Sequence, residues 1–134
     1  MMGNRRKYPN VQVAMNTWRD YMKSMGFGYK LGIDLPGEKR GLIPNAEFYD
    51  KAYRGSWNGL TIISISIGQG EVNLTPLQIA NLGATIANRG YYYAPHVVRK
   101  VKGEPLDTLY TPRHYTMASK KAYNYVVAGM RSSA

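Results

Sequence analysis

Seven serines could act as nucleophiles in this 134-residue chain: Ser24, Ser56, Ser64, Ser66, Ser119, Ser132 and Ser133. A serine hydroxyl attacks poorly until a base lies within hydrogen-bond reach. On a helix that base can be a lysine three residues on, one turn along the same face, the S-x-x-K arrangement. No serine here has a lysine at that spacing, and neither K-T-G nor K-S-G occurs. S-x-N occurs once, as Ser56-Trp57-Asn58 in a Trp/Gly loop without partner motifs, and so short a match reads as a decoy. The eight carboxylates are scattered, with no D-x-D or E-x-x-H grouping to support a metal or an acid–base pair. Asp34, Glu38 and Glu71 fall in loop-like sequence, where a lone carboxylate more often ties a turn than catalyses. His96 and His114 lack a partner at ligand spacing and read as surface or loop histidines. Cysteine is absent, which removes disulfides, thiolate nucleophiles and thiolate metal sites and leaves the redox compartment open. The glycine pairs of "GFG" (26–28) and "GQG" (68–70) could cradle a phosphate. The G-x-G-x-x-G fingerprint fails at both, because Leu31 and Asn73 stand where its third glycine belongs. No catalytic residue, metal or cofactor is expected within the chain.

The elements that would position these residues are legible in part. Over 10–26, Val11, Met15, Trp18, Met22 and Met25 fall close to helical spacing, with Asn10 as cap and Gly26 as stop. Residues 26–45 carry several glycines and a Pro-Gly pair, which predict tight turns and short strands. Asn45 can start a short helix over 45–54, while "LTIISISIG" (60–68) reads as a buried strand or an extended lead-in. The strongest helix signal covers 75–89. Thr75, Pro76 and Gln78 fit a capping box with proline at the first helical position, and Asn88, Arg89 and Gly90 supply the stop. Its many apolar residues predict a helix buried on most sides. "YYYAPHVVRKV" (91–101) suits a strand, with "DTLYT" (107–111) as its partner across the KGEP turn. A last helix is expected from about 117 towards 130, its stripe including Ala122, Tyr125, Val126 and Met130.

Composition bounds the class. At 44% hydrophobic and 19% charged the chain is an ordinary globular one, of a size for a single domain or a large piece of one. Its longest apolar run is too short to span a bilayer, and no signal peptide opens it. A net charge of +10 draws on basic clusters at 4–7, 37–41, 98–102 and 119–122. With 12 tyrosines, that charge allows an alternative reading as a basic binding module for nucleic acid or another polyanion. No nucleic-acid-binding signature appears, so specific nucleic-acid binding is not expected.

Three stretches in order carry a more specific signal: "FGYKLGIDLPGEKRGLIPN" (27–45), "SISIGQGEVNLTPLQIANLGATIANRG" (64–90) and "YYYAPHVVRKV" (91–101). Together with "VVAGM" (126–130), they resemble the transpeptidase domain of class B penicillin-binding proteins, most closely the penicillin-binding protein 2 branch. The resemblance covers essentially the whole chain as one unit, 1–134. It implies an α+β fold: a helix-rich piece of the transpeptidase with a small antiparallel hairpin. It also implies a parent anchored in the inner membrane, with this domain on the periplasmic side, that cross-links cell-wall peptidoglycan through a serine acyl-enzyme. The implied partners are stem peptides, β-lactams and cell-wall elongation proteins. In family order S-x-x-K and S-x-N precede the "GFG" helix and K-T/S-G follows the "GM" helix. The chain then corresponds to the stretch between them, with Met1 as an imposed start, and is expected to be inactive alone. Gly68, Gln69 and Gly70 would brace the parent's site, whereas Thr75, Pro76 and Gln78 are structural. Apolar surface left uncovered implies self-association.

Overall fold

The computed structural model describes residues 6–134, so Asn4 and Arg5 of the first basic cluster, like Met1, lie outside the described residues. Helix α1 (Val11–Ser24) begins where the Asn10 side chain accepts the Val13 amide at 2.8 Å. Gly26, with φ +93°, follows its end. Helix α2 (Ala46–Ala52) is capped in the same way by Asn45, which accepts the Phe48 amide at 2.9 Å. The main core lies where these two helices meet Ile65: Met15, Ala46 and Tyr49 are buried there, with Trp18, Phe48, Trp57, Ile62 and Val72 packed around them. Burying side chains of this size contributes about 1.5–3 kcal/mol each. Two polar contacts fix the approach of α1 to α2. The Asn16 side chain accepts the Ala46 amide, and Arg19 Nε donates to the Ile43 carbonyl.

Residues 59–66 form helix α3 (Gly59–Ser66), not the strand or lead-in expected from their isoleucines. Asn58 caps it by accepting the Leu60 amide at 2.9 Å, and Gly68, at φ +77°, turns the chain away after it. Those end signals outweigh β-propensity, which reflects packing on a sheet surface that the described residues do not offer here. Only Ile65 is fully buried; Leu60, Ile63 and Ile67 form an exposed stripe at helical spacing.

Helix α4 (Pro76–Ala87) has the complete capping box. Thr75 Oγ1 accepts the Gln78 amide at 3.2 Å, and Gln78 Oε1 accepts the Thr75 amide at 3.0 Å. At the other end Arg89 donates to the carbonyls of Ile86 and Ala87, and Gly90 follows at φ +118°. Its burial, however, reverses the expectation. The buried residues are Gln78, Asn81 and Thr85, while Ile79 stays 55% exposed. On that side Gln78 and Asn81 meet backbone carbonyls that need polar partners, those of Tyr29, Arg40 and Met25, while the Thr85 hydroxyl donates back to the Asn81 carbonyl of α4 itself.

Strand β1 (Tyr91–Tyr92) pairs antiparallel with β2 (His114–Tyr115), giving the small sheet of an α+β fold. The partner is not 107–111, which instead folds into turns. Asp107 Oδ1 accepts the Leu109 amide, and its carbonyl accepts the Tyr110 amide. Nor does the first strand continue through 101, because Pro95 cannot donate to a ladder and the next amides are taken elsewhere. Helix α5 (Lys120–Ser132) is capped by Ser119 and lies beside α4, with its buried Tyr123 seated against Gly90 and its hydroxyl sharing a hydrogen bond with Thr116. The expected stripe of Tyr125, Val126 and Met130 faces solvent instead.

Candidate functional site

Gln78 is the centre of the region around the glycine loop. Besides closing the capping box, its Nε2 donates to the carbonyls of Tyr29 at 3.0 Å and Arg40 at 2.9 Å. One buried amide thus joins α4 to both arms of the 27–45 loop. Gly41 makes that approach possible. At φ +62° it packs so closely that a Cβ would meet the Asn73 carbonyl oxygen and come within 2.8 Å of Gln78 Oε1. Next to it, Leu42 and Asn73 exchange backbone hydrogen bonds of 2.6 and 2.9 Å in an isolated antiparallel bridge. The sequence showed Gln78 as a cap residue; its second role has no local signal, since its partners lie 38 and 49 residues away.

The loop carboxylates are structural ties. Both oxygens of Glu38 accept backbone amides, from Leu31 and Gly32. Both oxygens of Asp34 accept the amides of Val97 and Val98, at 2.8 and 2.9 Å. The Val98 amide, then that of Val97, holds the Asp34 pKa below the usual carboxylate range. Glu71 accepts hydroxyls from Tyr53 at 2.5 Å and Tyr49 at 2.8 Å. Those two bonds, Tyr53 first, lower the Glu71 pKa, while burial raises that of Tyr49. Gly68, Gln69 and Gly70 therefore sit between the end of α3 and a carboxylate clamped onto α2. Both glycines have left-handed φ, and the Gln69 amide donates to the Ser64 carbonyl.

Ser56-Trp57-Asn58 is spent on architecture: Asn58 caps α3, and Trp57 Nε1 donates to Asp50 at 2.6 Å. A cleft of 680 Å³ opens nearby between Tyr8, Asn10, Trp57, Asn58, Ile62 and Ile63. Its two asparagines are already used as helix caps, and among the described residues no acid–base pair lines it. A second cleft, 350 Å³, runs between α4 and residues 93–96 and includes His96. His96 shares a contact with the Ala94 carbonyl and packs on Tyr110. His114 lies in β2 rather than a loop and stacks on Tyr92 at 5.2 Å. Among the described residues no group of three or more metal-ligating side chains forms, and no helix is long and apolar enough to cross a membrane.

A family model described as the penicillin binding protein transpeptidase domain matches residues 7–134. Among curated proteins, a peptidoglycan D,D-transpeptidase MrdA from Acinetobacter baumannii is 41% identical over 92 residues, 69% of this chain and 14% of that protein. Its namesake from Haemophilus influenzae is 35% identical over 108 residues, 78% of this chain and 17% of that protein. The chain thus spans under a fifth of the length of these relatives. Among solved structures, Pseudomonas aeruginosa PBP2 in complex with WCK 5153 superposes with a TM-score of 0.73 at 29% identity, covering 87% of this chain and 26% of that one. Helicobacter pylori PBP2, in a complex with MreC, gives 0.65 at 26% identity over 90% and 21%.

Proposed function

Because the chain belongs to the penicillin-binding protein transpeptidase domain family, we propose that residues 1–134 act as one unit, an internal segment of a peptidoglycan D,D-transpeptidase. In that role it is scaffold. The observation that carries the reading is the Gln78 hub, which ties two of the stretches that define the resemblance, 27–45 and 64–90, by backbone-directed hydrogen bonds, while Asp34 ties the third, 91–101, to the first. Nothing in the hub offers a nucleophile. The serine, its lysine and the substrate-binding K-T/S-G come from other parts of the parent, and Gly68, Gln69 and Gly70 brace the site those parts form. The parent is anchored in the inner membrane, with this domain on the periplasmic side, and meets stem peptides, β-lactams and elongation proteins. A PBP2 complex with MreC supports the last of these. The exposed stripe of α3 and the outer face of α4 support self-association of the isolated chain.

Incubation with a fluorescent penicillin followed by a denaturing gel tests the assignment. The full-length protein is expected to label and the 134-residue chain to remain dark, because no reduced efficiency stands in for an absent nucleophile. A labelled 134-residue band would overturn the scaffold reading, and an unlabelled full-length protein would overturn the transpeptidase one.

A further inference from the structure

The β1–β2 sheet has one anchored face and one open face. On the anchored face Tyr92 is buried, stacked on His114 and hydrogen-bonded to the Tyr29 hydroxyl. On the open face Tyr91, Tyr93 and Tyr115 surround a single guanidinium. Tyr91 and Tyr115 are register partners with ring centroids 5.8 Å apart, and Tyr93 meets Tyr91 edge to face at 5.9 Å. Arg113 lies over the Tyr91 ring at 4.6 Å, and its Nε donates to the Tyr93 hydroxyl at 3.0 Å. Among the described residues no carboxylate contacts Arg113, in a chain of net charge +10. An arginine fixed by phenols and a ring keeps its planar donor fork aimed and available for an anion. Beside it the Tyr115 ring, 69% exposed, offers a flat apolar surface with a polar rim.

A pyranose ring has the matching shape, with an apolar C–H face and hydroxyls at its edge, and a carboxylate on the sugar would complement the fork. Resting on the transpeptidase assignment above, we propose that this open face is a docking platform for a carboxylate-bearing glycan strand. Tyr115 stacks on a sugar ring and Arg113 takes the carboxylate in bidentate fashion. Tyr91 and Tyr93 position Arg113. The platform holds the strand and does no chemistry.

The test uses the full-length protein and glycan strands stripped of stem peptides by an amidase, which leaves lactyl carboxylates on the sugars. Neutral chitin oligomers serve as the comparison. Arg113→Ala and Tyr115→Ala are each expected to weaken binding of the carboxylated strand about tenfold, the loss of one charge-assisted or stacking contact. Arg113→Lys should recover little of the loss, because lysine lacks the planar fork. Chitin binding should be weaker than that of the carboxylated strand and should respond to Tyr115→Ala alone. Retained penicillin labelling shows that each variant is folded. Equal affinities for wild type and both alanine variants would overturn the proposal. So would chitin bound as tightly as the carboxylated strand, or a random oligonucleotide preferred to either. Penicillin labelling of the wild type is read separately, so failure of the parent assignment is distinguishable from failure of the platform.

Discussion

Gln78→Glu separates the two roles that position 78 plays. Glutamate serves a capping box as well as glutamine does, so a residue acting only as a cap would tolerate the change. The observed geometry requires the opposite. Replacing Nε2 by oxygen removes the donors to the Tyr29 and Arg40 carbonyls, 3.0 and 2.9 Å away, at a side chain only 1% exposed. A buried polar group left without its partner costs about 1–3 kcal/mol, so two carbonyls together cost about 2–6 kcal/mol. Protonating the new carboxyl restores one donor, so the folded state would hold that proton more tightly than the unfolded state does. The sign follows: with a folded pKa above the unfolded value of about 4.3, the penalty is smallest below that pH and grows as pH rises through the folded pKa. Urea unfolding at pH 5 and pH 8, each against wild type at the same pH, measures it. The expected loss at pH 8 is about 4 kcal/mol, with a smaller loss at pH 5. A variant within about 0.5 kcal/mol of wild type at pH 8, or a penalty unchanged between the two pH values, would refute this account of the hub.

Gly41→Ala should destabilise by about 2–4 kcal/mol in the same assay, from left-handed strain and displacement of the Asn73 carbonyl; a loss below about 1 kcal/mol would show that the loop yields. Glu71 has a depressed pKa in the fold, so its contribution is present above about pH 4.3 and lost as pH falls through the folded value. Wild type should therefore lose more stability between pH 6 and pH 3 than Glu71→Gln, and parallel pH profiles would contradict the clasp on Tyr49 and Tyr53. Ile63→Lys and Ile67→Lys place charge on the open stripe of α3 and should shift light scattering of the isolated chain toward monomer; unchanged scattering would locate association elsewhere.

Local punctuation was the most readable part of the sequence. Asn10, Asn45 and the Thr75–Gln78 box act within three residues of themselves, so their roles are visible without tertiary knowledge. Asn58 and Gly68 gave the same kind of signal for α3, but the run of isoleucines between them has a stronger strand flavour. Burial was harder to read. An apolar face normally marks the core side of a helix, yet on α4 the inward side meets backbone carbonyls and is lined by Gln78, Asn81 and Thr85. The strand partner failed for a related reason: Asp107 supplies a local turn that competes with pairing, and nothing in 107–111 announces that His114–Tyr115 will take its place. Arg113 and its three tyrosines were visible only as composition, because their convergence depends on register.

The tie between Asp34 and the amides of Val97 and Val98 also bears on the order of folding. Those partners are 63 and 64 residues apart in the chain, and closing so long a loop is entropically costly. Two bonds from an exposed carboxylate cannot drive that closure by themselves. Formation of α4 and its docking against the 27–43 segment would bring the ends near, leaving Asp34 a small gap to close late. Hydrogen exchange is then expected to be faster at the amides of Val97 and Val98 than within α4, and equal protection of both would contradict a latch that opens alone.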